Sequence, residues 1–151
     1  MEAILDKFNQ VYFEKTFSLM NRFDFKFLLK SSEAIAFLNH LYREYDLIAN
    51  NEIMIRSYET KYFDTYQRDT FLMHHNGKPE RIKVRWRKYT DIQKIFFEVK
   101  CKTSRKKTEK IRTEEPAVLS ELNQEQSELI ASLGYQDYCL KPKITISYDR
   151  I

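Results

Sequence analysis

The segment Arg81-Ile82-Lys83-Val84-Arg85-Trp86-Arg87 sets a cation at every second residue. Side chains of an extended strand point alternately to opposite faces, so Arg81, Lys83, Arg85 and Arg87 share one face and Ile82, Val84 and Trp86 the other. Further on, Phe97-Glu98-Val99-Lys100-Cys101-Lys102 repeats the design, with Glu98, Lys100 and Lys102 on one face and Phe97, Val99 and Cys101 opposite. Arg22, Asp24 and Lys26, set against Phe23, Phe25 and Phe27, repeat it again. A charged face can simply be the solvated side of a two-layer sheet. Yet like charges repel when two residues apart on a strand or opposite one another on neighbours, and only Asp24 and Glu98 offset them in these segments. A wall built round a polyanion accounts for the pattern better, because Arg forks and Lys ammonium groups replace the hydration of phosphate.

The rest of the composition narrows the chemistry. Glycine occurs only at Gly77 and Gly134, each where a helix would end, so no glycine-rich loop cradles phosphate and side chains must hold it. His40, His74 and His75 form no zinc-enzyme pattern, and Cys101 and Cys139 have no metal-ligand spacing, so free thiols are expected. His74 and His75 read as residues of a helix end, where the helix dipole accounts for them. The chain of 151 residues is 42% hydrophobic, enough for one folded domain with a core, and carries a net charge of +4. Basic residues dominate between Lys78 and Arg112, which focuses a positive field on one region. With no apolar run long enough to span a bilayer and no leader, a cytoplasmic protein without a membrane segment is the expectation.

These residues need elements to carry them. Leu5–Met20 reads as an amphipathic lead-in, and the alternation of Asn21–Leu29 as a strand. Ser31 and Ser32 offer an N-cap to a helix whose Ile35, Leu38, Leu41 and Tyr45 recur at helical spacing and predict an apolar contact. Ile53–Thr65 predicts a strand and Arg68–Asn76 a short helix stopped by Gly77 and Pro79. Glu80–Tyr89 and Lys94–Thr103 form a hairpin through a turn at Thr90 and Asp91. Lys107–Glu114 adds a strand, Glu121–Leu133 an amphipathic helix ending at Gly134, and Lys143–Ile151 a last alternating strand. Tyr62, Phe63, Tyr89 and Trp86 read as core; Trp86 lies opposite the arginines and cannot stack a base that they hold.

The ordered succession Asn21-Arg22-Phe23-Asp24-Phe25-Lys26-Phe27, Lys61-Tyr62-Phe63-Asp64-Thr65, His75-Asn76-Gly77, Arg81-x-Lys83-x-Arg85-x-Arg87-Lys88-Tyr89 and Phe97-Glu98-Val99-Lys100-x-Lys102 resembles bacterial VTC domains, the polyphosphate-polymerase branch of the triphosphate tunnel superfamily. The resemblance covers nearly the whole chain. It implies an antiparallel barrel of about eight strands with a polar tunnel inside. The expected class is therefore α+β: an antiparallel β-barrel or tunnel with packed helices, residues 1–151 forming a single domain. The family continues past the strand that carries Arg150, so a partial barrel is expected, either an open sheet or one completed by a second copy through its open edges.

The resemblance also implies a chemistry. A nucleoside triphosphate, polyphosphate or inorganic phosphate is the partner, a divalent ion (Mn2+ or Mg2+) the cofactor, and phosphoryl transfer from the triphosphate to a polyphosphate chain the reaction. Lys26 resembles the tunnel lysine of the first strand, Lys83 and Arg85 the paired basic residues of an R-x-R-W motif, and Lys100 the lysine of an E-x-K strand. Lys110 and Arg112 resemble a K-x-R pair, and Arg150 the arginine of a Y-x-R strand. Arg22, Arg81, Arg87 and Lys102 complete the phosphate-facing set, with Asp24 and Glu98 as the carboxylates for the metal. Asp24 stands where the superfamily prefers Glu, and Lys83 where many relatives have Arg, which removes a bidentate contact. Behind this reading rank a non-catalytic polyanion-binding module and then a basic sheet that binds RNA; no specific nucleic acid is expected.

Overall fold

A computed structural model describes residues 2–12, 28–49, 55–103 and 107–150. The strand expected over Asn21–Leu29, and with it Arg22, Asp24 and Lys26, falls largely on residues 13–27, outside the described residues. The chain divides into two compact units at Ile55 and Arg56.

The first unit opens with helix α1 (Glu2–Leu5) and strand β1 (Gln10–Tyr12); the rest of the expected lead-in, residues 13–20, lies outside the described residues. The helix is closed by tight turn bonds, Lys7 N–H to the Ile4 carbonyl at 3.2 Å and Phe8 N–H to that of Leu5 at 3.1 Å. Helix α2 (Ser31–Leu41) follows, then strand β2 (Leu47–Ala49), which pairs with β1 in parallel. Lys30, not Ser31, occupies the N-cap of α2, because the Glu33 carboxylate accepts from the Lys30 backbone N–H at 2.9 Å and draws the helix start back by one residue. Of the positions expected to make an apolar contact, Leu38 and Leu41 are half-buried while Ile35 and Tyr45 are 38% and 60% exposed, and Tyr42, just past the helix, meets the ring of Phe8 edge-on.

The second unit is built on strands β3 (Arg56–Asp64), β4 (Arg81–Tyr89), β5 (Lys94–Lys102), β6 (Thr108–Glu115) and β7 (Lys141–Arg150), with helix α3 (Asp69–His75) between β3 and β4 and helix α4 (Gln124–Ile130) before β7. They form a five-stranded sheet in the order β6-β5-β4-β3-β7. Every pairing is antiparallel. The sheet does not close, and among the described residues β6 and β7 are its edges. The mixed α+β class and the partial, open barrel-like sheet are thus as expected. The β4–β5 turn is longer than Thr90-Asp91: Gln93 takes a left-handed φ of 52° and anchors its side chain on the Thr90 carbonyl at 2.6 Å.

Alternation settles which face is dry. Ile82, Val84 and Trp86 of β4 and Phe97 and Val99 of β5 are at most 1% exposed. With Phe63, Ile130 and Leu140 they form one core, covered by Leu129 and Leu133 and by Tyr135 and Tyr138 beyond. Burying an aliphatic or aromatic side chain of this kind contributes about 1.5–3 kcal/mol. The covering helix is shorter than Glu121–Leu133. Asn123 caps it, accepting from Gln126 N–H at 2.8 Å while Gln126 Oε1 accepts from Asn123 N–H at 3.2 Å, and a π-turn at Ala131–Tyr135 ends it with Gly134 at φ 89°.

Strand β7 inverts the pattern. Its Ile144, Ile146 and Tyr148 pair with Tyr62, Thr60 and Tyr58 and so stand on the charged side of the sheet, 55%, 41% and 38% exposed. A bulge between Tyr62 and Phe63 shifts the β3–β7 register and lets Lys143 drop out of the ladder.

The join from β3 to α3 rests on Asp64. This buried carboxylate accepts from the backbone N–H groups of Thr65 at 2.8 Å, Thr70 at 2.9 Å and Phe71 at 3.0 Å. Thr65 Oγ1 accepts in turn from Asp69 N–H at 3.0 Å, and Arg68 makes the bend with a left-handed φ of 63°. Two donors that the start of α3 leaves open, those of Thr70 and Phe71, thereby find a charge, and that of Asp69 finds a hydroxyl. At the other end Gly77, at φ 65°, lets Lys78 N–H reach the Met73 carbonyl at 2.9 Å and turns the chain into β4. Asp64→Ala leaves those buried donors unpaired and should cost about 3 kcal/mol. The check is a urea titration in which the midpoint falls while the slope is unchanged; an unmoved midpoint would show that water satisfies these donors.

Candidate functional site

The charged face of the sheet is assembled by register. Lys83 on β4 lies opposite Lys100 on β5, Arg85 opposite Glu98, and on the next ladder Lys100 lies opposite Lys110 and Glu98 opposite Arg112 of β6. Against this face lies a cavity of about 270 Å³ lined by Lys83, Arg85, Glu98, Lys100, Lys110 and His74. The hairpin and β6 set the cations side by side, and the short Asn76–Glu80 return brings the last turn of α3 beside them.

Glu98 is the carboxylate among these cations. Its Oε2 accepts from Arg85 Nε at 2.7 Å and lies 2.5 Å from Arg85 Nη2, while Oε1 is 3.5 Å from Arg112 Nε. Burial alone would push its pKa up, but Arg85 first, then Arg87 and Lys110, outweigh burial and hold the carboxyl below its ordinary value. For Arg85 burial works to lower the pKa, and Glu98 and the Tyr62 hydroxyl overcome it, so the guanidinium is held above its ordinary value. Tyr62 borders the site: Lys83 Nζ stands 4.5 Å from its ring centroid, and Arg85 Nη1 donates to its hydroxyl at 3.5 Å. Burial raises the Tyr62 pKa, but Lys83 and Arg85 prevail and lower it. A phenol held between cations lends acceptor density without adding a full negative charge.

The other expected phosphate ligands are placed elsewhere. Arg81 donates to the Lys78 carbonyl at 2.6 Å, at the start of β4. Arg87 donates to Thr60 Oγ1 at 3.3 Å and to the Tyr148 hydroxyl at 3.0 Å, toward the β3–β7 side. Arg112 stacks on Phe96, its Cζ 3.5 Å from the ring centroid. Lys102 lines a separate groove with Met73, Cys101 and Tyr135, and Arg150 lies opposite Arg56 at the far end of β7. Arg22, Asp24 and Lys26 are outside the described residues.

Two residues read from sequence as structural belong to the charged side instead. Tyr62 is not core: it faces Lys83 and Arg85, whereas Phe63 and Trp86 are core. Tyr89 is only half-buried, with Arg112 Cζ 5.1 Å from its ring centroid. His74 is more than a helix-end residue, since it lines the cavity, while its neighbour His75 stacks on Phe71. The signal for His74 was the brevity of the link from His75 to Arg81, which leaves the helix end nowhere to go but beside the cationic strand. Cys101 is a buried free thiol, as its apolar face predicts, and Cys139 is also free.

For a divalent ion the described residues offer little. No three His, Cys, Asp or Glu side chains gather among them, and both oxygens of Glu98 are held by guanidinium groups. Nor is any helix among them long and apolar enough to cross a membrane.

An α+β unit whose open antiparallel sheet keeps one face for cations and the other for its core defines a charged-face sheet domain. The chain belongs to the VTC domain family, whose model matches residues 21–151. That membership puts it among polyphosphate-related tunnel domains. No curated protein and no solved structure matches the chain.

Proposed function

We propose that the charged face of this sheet binds the phosphate chain of a nucleoside triphosphate or polyphosphate, and that the domain serves phosphoryl transfer from the one to the other. The observation that carries this reading is the convergence of Lys83, Arg85, Lys100 and Lys110 on one cavity whose carboxylate, Glu98, is already neutralised by Arg85 and Arg112. The remaining positive charge has no carboxylate counter-ion among the described residues that line the cavity, and a phosphate chain supplies one. Arg85, held by Glu98 and Tyr62, presents a fixed fork; the lysines are mobile point charges that follow the phosphate as charge shifts along it. Phosphoryl transfer asks for charge neutralisation and alignment more than for an activated side chain, and these residues contribute both. A divalent ion bound with the phosphates would neutralise further charge, but with Glu98 committed to two arginines no step above depends on one.

The alternative, a phosphate-binding module without catalysis, is favoured by that same commitment of Glu98, which leaves no free carboxylate among the described residues of the cavity lining. Calorimetry with tripolyphosphate at rising salt tests the shared part: binding that weakens steadily as ionic strength rises supports the site, and no binding at low salt removes both readings. Incubation with ATP and manganese then divides them, polyphosphate formation favouring transfer and its absence favouring the module. Single-stranded RNA displacing tripolyphosphate at equal phosphate concentration would point to the nucleic-acid reading instead.

A further inference from the structure

We infer that His74, carried by the last turn of α3 into the cavity of Lys83, Arg85, Lys100 and Lys110, is a proton-dependent ligand of the bound phosphate, so that this site takes up its anion together with a proton. The inference rests on the phosphate-binding reading and adds to it a ligand of a different kind. Among the described lining side chains, the imidazole is the one whose ordinary charge change falls near neutral pH.

The surroundings of the ring decide the direction. Lys83 and Arg85 face the cavity from β4, Glu98 and Lys100 from β5, and Lys110 from β6, while Arg81, outside the lining, acts on the ring through its charge; on α3 itself the titratable neighbours are Asp69, one turn and more back, and His75, stacked on Phe71. Loss of water against the sheet and the fields of Lys83, Arg81 and Lys100 favour the neutral ring, and only a backbone hydrogen bond involving Ile82 opposes them. A phosphate in the cavity reverses the balance. It cancels the repulsion from the lysines, and its oxygens accept from the imidazolium N–H. The ring therefore holds its proton to higher pH when the anion is bound than when the site is empty. By linkage, affinity rises as pH falls through the window between those two values and is flat on either side of it.

Tripolyphosphate titrates in the same range, so the measurement is a comparison of proteins in which the ligand's own protonation cancels. Calorimetry of wild type, His74→Gln and His74→Lys with tripolyphosphate at about pH 6 and about pH 8 should show wild type gaining about fivefold to tenfold more affinity on acidification than His74→Gln. His74→Lys, with a fixed charge, should bind tightly at both values and show the shallow dependence of the Gln variant. A proton NMR titration of wild type provides the check that needs no variant to fold: the His74 Cε1–H resonance should titrate at higher pH with tripolyphosphate bound than without. Identical pH dependence in wild type and His74→Gln, or a His74 resonance indifferent to the anion while tripolyphosphate still binds, overturns the role of His74 and leaves the site standing. Failure of wild type to bind tripolyphosphate at either pH overturns the site and this inference together.

Discussion

Lys100→Glu combined with Lys110→Glu lowers the affinity for tripolyphosphate by about two to four orders of magnitude while the protein stays folded. Both side chains are exposed, both line the cavity, and they lie opposite each other across the β5–β6 ladder. Each charge-assisted contact is worth about 1.5–3 kcal/mol, and a factor of ten in affinity about 1.4 kcal/mol. The double change replaces one like-charged cross-strand pair by another, so the repulsion within the sheet is about the same before and after. Arg85 is a poorer choice, because its loss strands the buried Glu98 carboxylate and confuses a binding defect with a folding defect. Calorimetry for binding and thermal unfolding for stability are the two readouts. Unchanged affinity in the double variant would move the phosphate site off this face of the sheet.

The second large effect lies one residue from Arg85 and on the opposite side. Val84 is fully buried among Phe63, Ile82, Trp86, Phe97 and Val99, and Val84→Asp forces a carboxylate into that layer. An uncompensated charge there costs several kcal/mol, comparable to the whole stability of a small domain, about 5–15 kcal/mol. No cooperative transition in urea is expected, as followed by circular dichroism. Val84→Ala, which only removes methyl groups, should fold with a loss of about 2 kcal/mol. A soluble Val84→Asp protein that unfolds cooperatively would show that the wet and dry faces of β4 have been exchanged.

That Val84 and Arg85, adjacent in the chain, serve the dry and the wet face of one strand reflects what alternation makes visible. In β4 and β5 the period of two is unbroken, so the wet and dry faces follow from the residue types alone. Where apolar residues fall on both faces, the reading fails. In β3 the aromatic character of both Tyr62 and Phe63 hid the fact that Tyr62 belongs with the lysines. In β7 the apolar residues face the charged side, because the partner strand offers Tyr58, Thr60 and Tyr62 there, and nothing in β7 itself distinguishes the two arrangements.

The site was legible as a set of charges and not as a geometry. Sequence order names Lys83, Arg85, Lys100 and Lys110, but register decides that these are the ones that meet, while Arg87 turns toward Tyr148 and Arg112 settles on Phe96. Glu98 shows the same limit: its place in an E-x-K strand invites a metal, and only the register opposite Arg85 on one side and Arg112 on the other reveals it as their counter-ion. The helix caps behave likewise. The Asn123–Gln126 box is local and readable, whereas the Asp64 cap draws on a strand end seven residues before Phe71 and appears only once the chain bends at Arg68.

Trp86 is the chain's single tryptophan, and it is buried on the dry face, tilted against Phe97, its indole N–H without a hydrogen-bond partner among the described residues. An indole so shielded emits at short wavelength, and its colour depends on whether water reaches the core. The molecule therefore carries a fluorescent gauge of its own packing that looks away from the cavity: unfolding shifts the emission to the red, while a phosphate chain settling on the far side of the same strand leaves the colour as it was.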